Sequence, residues 1–347
     1  VNRPPGPIQR RNPAGRAKRI CDPENDAALP LLKEKFMIID AHAHLYVEDW
    51  LPAPFWEGMA KRVCTVRKRT RGEDLTVEAV KKTMFPAYWD KDGSVLIAEM
   101  DQAGIDKTVI VPLDLGIELG EAKASVEEIN ESYAAAASRY PGRIIAYAGV
   151  DPRRKNAIEV LERGVKHDGM KGLKLDPAAG YYPNEEICYP LYKKAQDLGV
   201  PVLFHTGATI PPFRNKYTQP IYLDDVSLDF PELTLIAAHM GFGWWQELAS
   251  MMAKRTNLIT DISGWQQNAI RHFPTFVRTL REMMHLVGAD NMLFATDGPS
   301  FRLYNLQNRE WVRMIRNLSA EAPEGISFTE AEIDLLLGKS AQSHLNL

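Results

Sequence analysis

Eight short apolar, β-branched runs recur from residue 37 onward, each ending in a polar or glycine-containing turn, and their spacing restricts the fold more than any other feature of the chain. They are MIIDAHAH from Met37, KTVIVPL from Lys107, RIIAYAGV from Arg143, KGLKLD from Lys171, VPVLFHT from Val200, LTLIAAH from Leu233, NLITDIS from Asn257 and NMLFATD from Asn291. After the second, successive starts lie 36, 28, 29, 33, 24 and 34 residues apart, the length of one strand and one returning helix. The segments between them read as helices. SVEEINESYAAAASRY, for example, carries Ser125 at the N-cap and Glu128 three residues on, the pattern of a capping box. Repeated strand–helix units mean a parallel sheet. Eight of them predict an α/β chain folded as a (β/α)8 TIM barrel, where an open doubly wound sheet more often uses about five or six strands.

Two segments stand outside this rhythm. The step from Met37 to Lys107 is 70 residues and holds an insertion of roughly residues 46–92, rich in aromatic and basic side chains. An insertion after the first strand of a barrel sits at the catalytic mouth, so it is expected to act as a lid or interface. Residues 1–36 carry Pro4, Pro5, Pro7 and Pro13 among Arg and Lys residues, with no acid before Asp22. This stretch predicts an N-terminal arm lying over its own domain or a neighbouring subunit, ahead of a barrel spanning 37–347.

Composition narrows the partners. The chain is 45% hydrophobic and 25% charged, with 42 Lys and Arg against 45 Asp and Glu for a net charge of -3, so it presents no general basic field for nucleic acid or an acidic membrane. No run approaches the ~20 apolar residues of a membrane span, and the N-terminal stretch lacks the apolar segment of a secretory signal, so a cytoplasmic protein is expected. Cys21, Cys64 and Cys188 are odd in number and scattered without a CxxC pair, which reads as reduced thiols. The basic cluster Lys61, Arg62, Arg67, Lys68, Arg69 and Arg71 reads as a solvated face or subunit contact, with attraction of an anionic substrate or binding of RNA as the alternatives.

The chemistry concentrates at the ends of the runs. His42 and His44 are two apart on a predicted strand beside Asp40, so both imidazoles point the same way and can share one ion. His205 ends the fifth run, His239 the sixth and Asp297 the eighth. In a barrel those ends converge on one mouth, which brings five ionisable groups around one point. The remaining histidines, His167, His272, His285 and His344, lack this register and read as structural or surface residues.

The ordered set of HxH within Met37–Leu45, GLKLDP at Gly172–Pro177, FHTG at Phe204–Gly207, AHMG at Ala238–Gly241 and ATDGP at Ala295–Pro299 resembles the amidohydrolase superfamily. The likeness is to its amidohydrolase-related branch, which includes the aminocarboxymuconate semialdehyde decarboxylase-like enzymes. It implies a TIM barrel with one divalent ion on His42, His44, His205 and Asp297. His239 and Asp297 are implied as the catalytic acid/base pair. Zinc is the first expectation for that ion, with manganese or iron as alternatives. Binuclear relatives carry a carboxylated lysine on the fourth strand, so Lys174 is a second-metal ligand in a minority reading, and otherwise a partner of Asp176.

The resemblance implies either hydrolysis or non-oxidative decarboxylation. Decarboxylases of this type commonly place Glu where this chain has Phe242 and an aromatic where it has Gly298, so hydrolysis of an amide, lactone or ester leads. Decarboxylation of an aromatic or muconate-type acid is the alternative, and a silent or iron-dependent oxidative subunit of a larger assembly is a third. The segments after the strands supply Tyr181, Arg214, Trp244 and Trp265 as candidate contacts for a small cyclic or aromatic acid, with Arg214 pairing its carboxylate. A homodimer or higher oligomer is expected, and a heteromer is the alternative.

Overall fold

The computed structural model describes residues 36–300, 302 and 306–347. The apolar runs become nine short parallel strands: β1 (Ile39–Ala43), β2 (Lys107–Ile110), β3 (Ile144–Ala146), β4 (Ala148–Gly149), β5 (Leu173–Leu175), β6 (Val202–Phe204), β7 (Leu235–Ala237), β8 (Leu258–Asp261) and β9 (Met292–Leu293). They pair in the order β1-β2-β3 and β4-β5-β6-β7-β8-β9. β3 and β4 are two halves of the third run, interrupted at Tyr147. There the chain passes from one neighbour to the next: Tyr147 N–H donates to Ile110 at 3.0 Å and Ala148 N–H to Gly172 at 2.8 Å. Gly172 is required at that crossing, because a Cβ on it would lie 2.4 Å from the Tyr147 ring. At the other seam Ala41 N–H donates to the Phe294 carbonyl at 2.9 Å and Asp297 N–H to that of His42 at 2.8 Å, tying the eighth run back to the first. The result is the parallel α/β barrel that eight runs require.

Register explains why ionisable groups meet at one end. Lys174, Leu203, Ile236 and Ile259 are aligned partners on adjacent strands. The latter three share one buried apolar cluster with Val109 and Leu293. Strand alternation then brings His205, two beyond Leu203, and Asp261, two beyond Ile259, to the same face. Between the strands lie helices such as Val126–Arg139. Its capping box forms as read: Ser125 N–H donates to Glu128 Oε2 at 2.8 Å, and Glu128 N–H to Ser125 Oγ at 3.2 Å.

The insertion folds into helices α1 (Ala53–Arg71) and α2 (Val77–Thr83). Trp56 anchors α1 through edge contacts with Trp89 and a bond from its Nε1–H to the Glu48 carbonyl at 3.0 Å. The helix rests against the loop after β6 so closely that a Cβ on Gly58 would stand 1.8 Å from the Pro211 carbonyl oxygen. Most of the basic cluster is a solvated face, with Lys61 on Glu57, Arg67 and Arg71 on Glu73, and Lys68 on Asp74. Arg62 departs from it and faces the barrel mouth. Cys64 and Cys188 are free thiols. The N-terminal arm and Cys21 lie outside the described residues except for Phe36. Among the described residues no helix is long and apolar enough to cross a membrane.

Candidate functional site

The five predicted groups do converge. His42 and His44 have ring centroids 5.1 Å apart, His42 and His239 5.2 Å, and His205 and His239 4.9 Å. His44 Nε2 lies 3.2 Å from Asp297 Oδ1, and His42 Nε2 lies 3.9 Å from the same oxygen. Two of these residues sit on left-handed backbone that L side chains rarely adopt: His239 at φ +64° and Asp297 at φ +51°. At His239 the reason is geometric. It falls three residues beyond Ile236, out of step with the strand alternation, and the left-handed turn compensates for the wrong parity.

Hydrogen-bond chemistry shows what these nitrogens can hold. His44 Nδ1 lies 2.7 Å from the Val111 carbonyl, which only accepts, so the ring proton is on Nδ1. Its Nε2 can then face a carboxylate oxygen favourably only with a second proton or with a cation between them. His42 Nδ1 lies 3.1 Å from Asp261 Oδ2, which fixes its proton in the same way and leaves a lone pair on Nε2. That Nε2 and the Nε2 of His205 are both buried without a hydrogen-bond partner. Atoms of His42, His44 and Asp297 lie mutually close enough to hold one ion, as do those of His42, His239 and Asp261. The two groupings are not equivalent. Asp261 already accepts from His42, from the backbone N–H groups of His239 and Ser263, and from the Ser263 hydroxyl. His44 and Asp297 instead open onto a pocket, which makes the first set the one that fits a divalent cation.

Burial dominates the electrostatics. It pushes His205 down to about 3, helped by the Lys174 charge, and His239 down to about 4, helped by His205; both are neutral imidazoles at pH 7. Burial opposes ionisation of Asp297. The hydrogen bond with His44 and the electrostatic effect of the surrounding imidazoles outweigh that and hold its carboxyl below the usual carboxylate range. Burial also lowers Lys174 and raises Asp176.

The pocket has a volume of about 170 Å³. Its floor is His44, His205, His239 and Asp297; Phe55, Phe213 and Phe242 form apolar walls, and Arg62 and Lys174 supply positive charge. Tyr46 stacks on His44 with ring planes 11° apart.

The four predicted substrate contacts lie elsewhere. Arg214 is exposed, and none of Arg214, Trp244, Trp265 and Tyr181 lines the pocket. Trp244 precedes the helix Trp245–Met252. Tyr181 is buried beneath the Arg153 guanidinium, 5.3 Å from its ring. Trp265 braces the site from behind, donating from Nε1 to the His239 carbonyl at 2.7 Å. Asp176 accepts from Ala178 N–H at 3.1 Å, capping its own turn instead of closing on Lys174. Sequence reasoning missed Asp261, Ser263 and Gln267, and named Arg62 only within the basic cluster. Asp261 carried a usable signal, since it ends the seventh apolar run as His205 and His239 end theirs. Arg62 carried none beyond its place in a basic cluster.

Residues 39–342 match the amidohydrolase family, and the chain belongs to it. No curated protein sequence matches the chain significantly. Among solved structures, an uncharacterised TIM-barrel protein from Bordetella bronchiseptica is 22% identical with a TM-score of 0.61, covering 90% of this chain and 99% of that one. The manganese-bound 5-carboxyvanillate decarboxylase of Novosphingobium aromaticivorans is 16% identical with a TM-score of 0.63, covering 90% and 97%. A probable 2-pyrone-4,6-dicarboxylic acid hydrolase from Acinetobacter baumannii, with citric acid bound, is 14% identical with a TM-score of 0.58, covering 90% and 100%. At such identities the likeness establishes the fold.

Proposed function

We propose that this chain is a divalent-metal-dependent hydrolase of an amide, lactone or ester bond in a small cyclic or aromatic carboxylic acid. The observation that carries this reading is the set of buried imidazole nitrogens without partners beside an ionised Asp297, at the floor of a pocket with aromatic walls that also holds Arg62 and Lys174 alongside Asp176. His42, His44, His205 and Asp297 would hold the ion, zinc first and manganese or iron as alternatives. When bound, such an ion lowers the pKa of water and polarises a carbonyl oxygen. The neutral His239, whose Nε2 lies on the pocket side next to His205, takes a proton and returns it to the leaving group. Arg62 pairs the substrate carboxylate, and Phe55, Phe213 and Phe242 hold the ring and exclude water. Phe242 supports hydrolysis in particular. It lines the pocket and packs edge-on against Trp265 at 5.3 Å, so no carboxylate stands at that position.

Decarboxylation is the second reading. It is favoured by Lys174, a second buried cation in the same pocket, which would let a substrate carboxylate lie directly over the histidines. The similar folds of the 5-carboxyvanillate decarboxylase and of 2,6-dihydroxybenzoate decarboxylase, the latter 18% identical, support it. Elemental analysis of the isolated protein tests the site: about one ion per chain is expected, lost in His44→Ala and Asp297→Ala. No ion in the wild type would bring forward a silent subunit. Metal-loaded protein incubated with a panel of cyclic and aromatic carboxylates and read by mass spectrometry separates the chemistries, since hydrolysis adds water and decarboxylation releases carbon dioxide.

A further inference from the structure

One carboxylate stands behind most of the site's proton positions. Asp261 is fully buried at the end of β8 and has no access to the pocket. Its Oδ2 is 3.1 Å from His42 Nδ1, and its Oδ1 accepts the Ser263 hydroxyl. Because Asp261 Oδ1 also accepts the backbone N–H groups of His239 and Ser263, it is the acceptor in this pair, and the single hydroxyl proton of Ser263 is committed to it. Ser263 Oγ therefore offers only lone pairs to its other neighbours, His239 Nδ1 at 2.7 Å and, more weakly, His42 Nδ1 at 3.4 Å. His239 must carry its proton on Nδ1, which leaves the lone pair on Nε2. That Nε2 faces His205 Nδ1 at 3.2 Å, so His205 in turn places its proton on Nδ1 and its lone pair on the buried, unpartnered Nε2.

We infer that the Asp261–Ser263 pair is a positioning device that fixes His42, His239 and His205 as Nδ1–H tautomers, leaving the Nε2 lone pairs of His42 and His205 free for the reacting region and turning the His239 Nε2 lone pair onto His205 Nδ1–H. The backbone around the pair serves the same end. His239 N–H donates to Asp261 Oδ1 at 3.0 Å and Trp265 Nε1–H to the His239 carbonyl, which clamps the left-handed His239 from both sides. Gly264 leaves room for the ring, since a Cβ there would lie 3.3 Å from His239 Nδ1. The inference rests on hydrogen-bond directions and extends the proposed function by assigning how its base is prepared; it holds or fails on a measurement that needs neither substrate nor metal.

That measurement is long-range proton–nitrogen correlation NMR of metal-free, ¹⁵N-histidine-labelled protein, with each ring assigned by its His→Gln variant. In the wild type, His42, His205 and His239 are expected with protonated Nδ1 and bare Nε2. In Ser263→Ala, His239 and His205 are expected to lose this pattern or mix tautomers while His42, still held by Asp261, keeps it; Ser263→Thr should restore it. Asp261→Asn, where it folds, should disturb all three. A wild-type His239 with its proton on Nε2, or an unchanged His239 pattern in Ser263→Ala, would overturn the inference. As a second readout, zinc affinity should fall about 10–100-fold in Asp261→Asn, the usual scale for losing the partner that orients a metal-binding histidine. Unaltered affinity in a folded variant counts against it.

Discussion

Replacing Gly58 by alanine sets two ordinary effects against each other, and the sign of the result tests how the insertion is seated on the barrel. Gly58 lies inside α1, where glycine is less favourable than alanine by about 0.5–1 kcal/mol because it has more backbone freedom to lose. Helix propensity alone therefore predicts a more stable protein. The structure predicts the reverse, since the added Cβ would stand 1.8 Å from the Pro211 carbonyl oxygen and 2.8 Å from its carbon. Both are backbone atoms, so no rotamer change relieves the overlap. Forcing a methyl group into such a contact costs roughly 1–3 kcal/mol. The body from Phe36 to Leu347 has about 310 residues, and at about 2.1 cal/mol/K each its unfolding entropy is ~0.65 kcal/mol/K, so a clash offset by the propensity gain, up to about 2.5 kcal/mol net, lowers Tm by up to about 4 °C. Thermal melting by circular dichroism reads the net effect, and hydrogen exchange over residues 53–71 shows whether α1 has lifted. Because α1 carries Phe55, Met59 and Arg62 into the pocket, faster exchange there should accompany weaker binding of carboxylate ligands. A Tm that rises by about 1 °C, as propensity alone gives, with unchanged exchange in α1 would refute this seating.

Two further outcomes follow from the site. Arg62→Met should weaken binding of benzoate, measured by calorimetry on metal-loaded protein, about 10–150-fold for the loss of a charge-assisted pair, while Arg214→Met should leave it unchanged; equal effects would remove Arg62 from the pocket's anion-binding role. For metal-free protein, His205 and His239 are held at about 3 and about 4 against an ordinary 6.5, so the unfolded chain binds protons that the folded one refuses. Stability is then full above about pH 6.5 and declines as the pH falls toward 4, which urea midpoints across that range will show; a His205→Gln variant should flatten the decline.

What the sequence revealed and what it hid divide along a physical line. His205 was legible by alternation, two beyond Leu203, while His42 and His44 were legible as a pair two apart and Asp297 by its place at the end of the eighth run. A residue two beyond a buried apolar partner inherits its face without any knowledge of the loops. His239 was legible by position alone. Its parity is wrong for the strand, and only the left-handed backbone, clamped by Asp261 and Trp265, turns it inward. The lining of the pocket's walls was not legible, because it depends on which loop reaches over the mouth. Arg214 lies on the loop after β6, and that same loop is where α1 comes to rest at Gly58. The helix that lies against it brings Arg62 from a segment more than 140 residues away in sequence and leaves Arg214 in solvent. No periodicity within either segment encodes that exchange.

The same division assigns the site's parts different tolerances to change. His42, His44, His205 and Asp297 are tied to strand ends whose register is fixed by backbone bonds on both sides, so their geometry is a consequence of closing the barrel. The cationic wall is held by an insertion that meets the barrel at the Gly58 contact and through a few bonds, such as those from Ala124 N–H to the Asp49 carbonyl and from Arg302 to the Ala87 carbonyl. Substitutions in α1 should therefore shift which carboxylate is accepted while the ion and the proton-handling histidines stay in place. Changes at Asp261 or Ser263 should do the opposite, leaving the Arg62 wall intact while disturbing the imidazole nitrogens at the pocket floor.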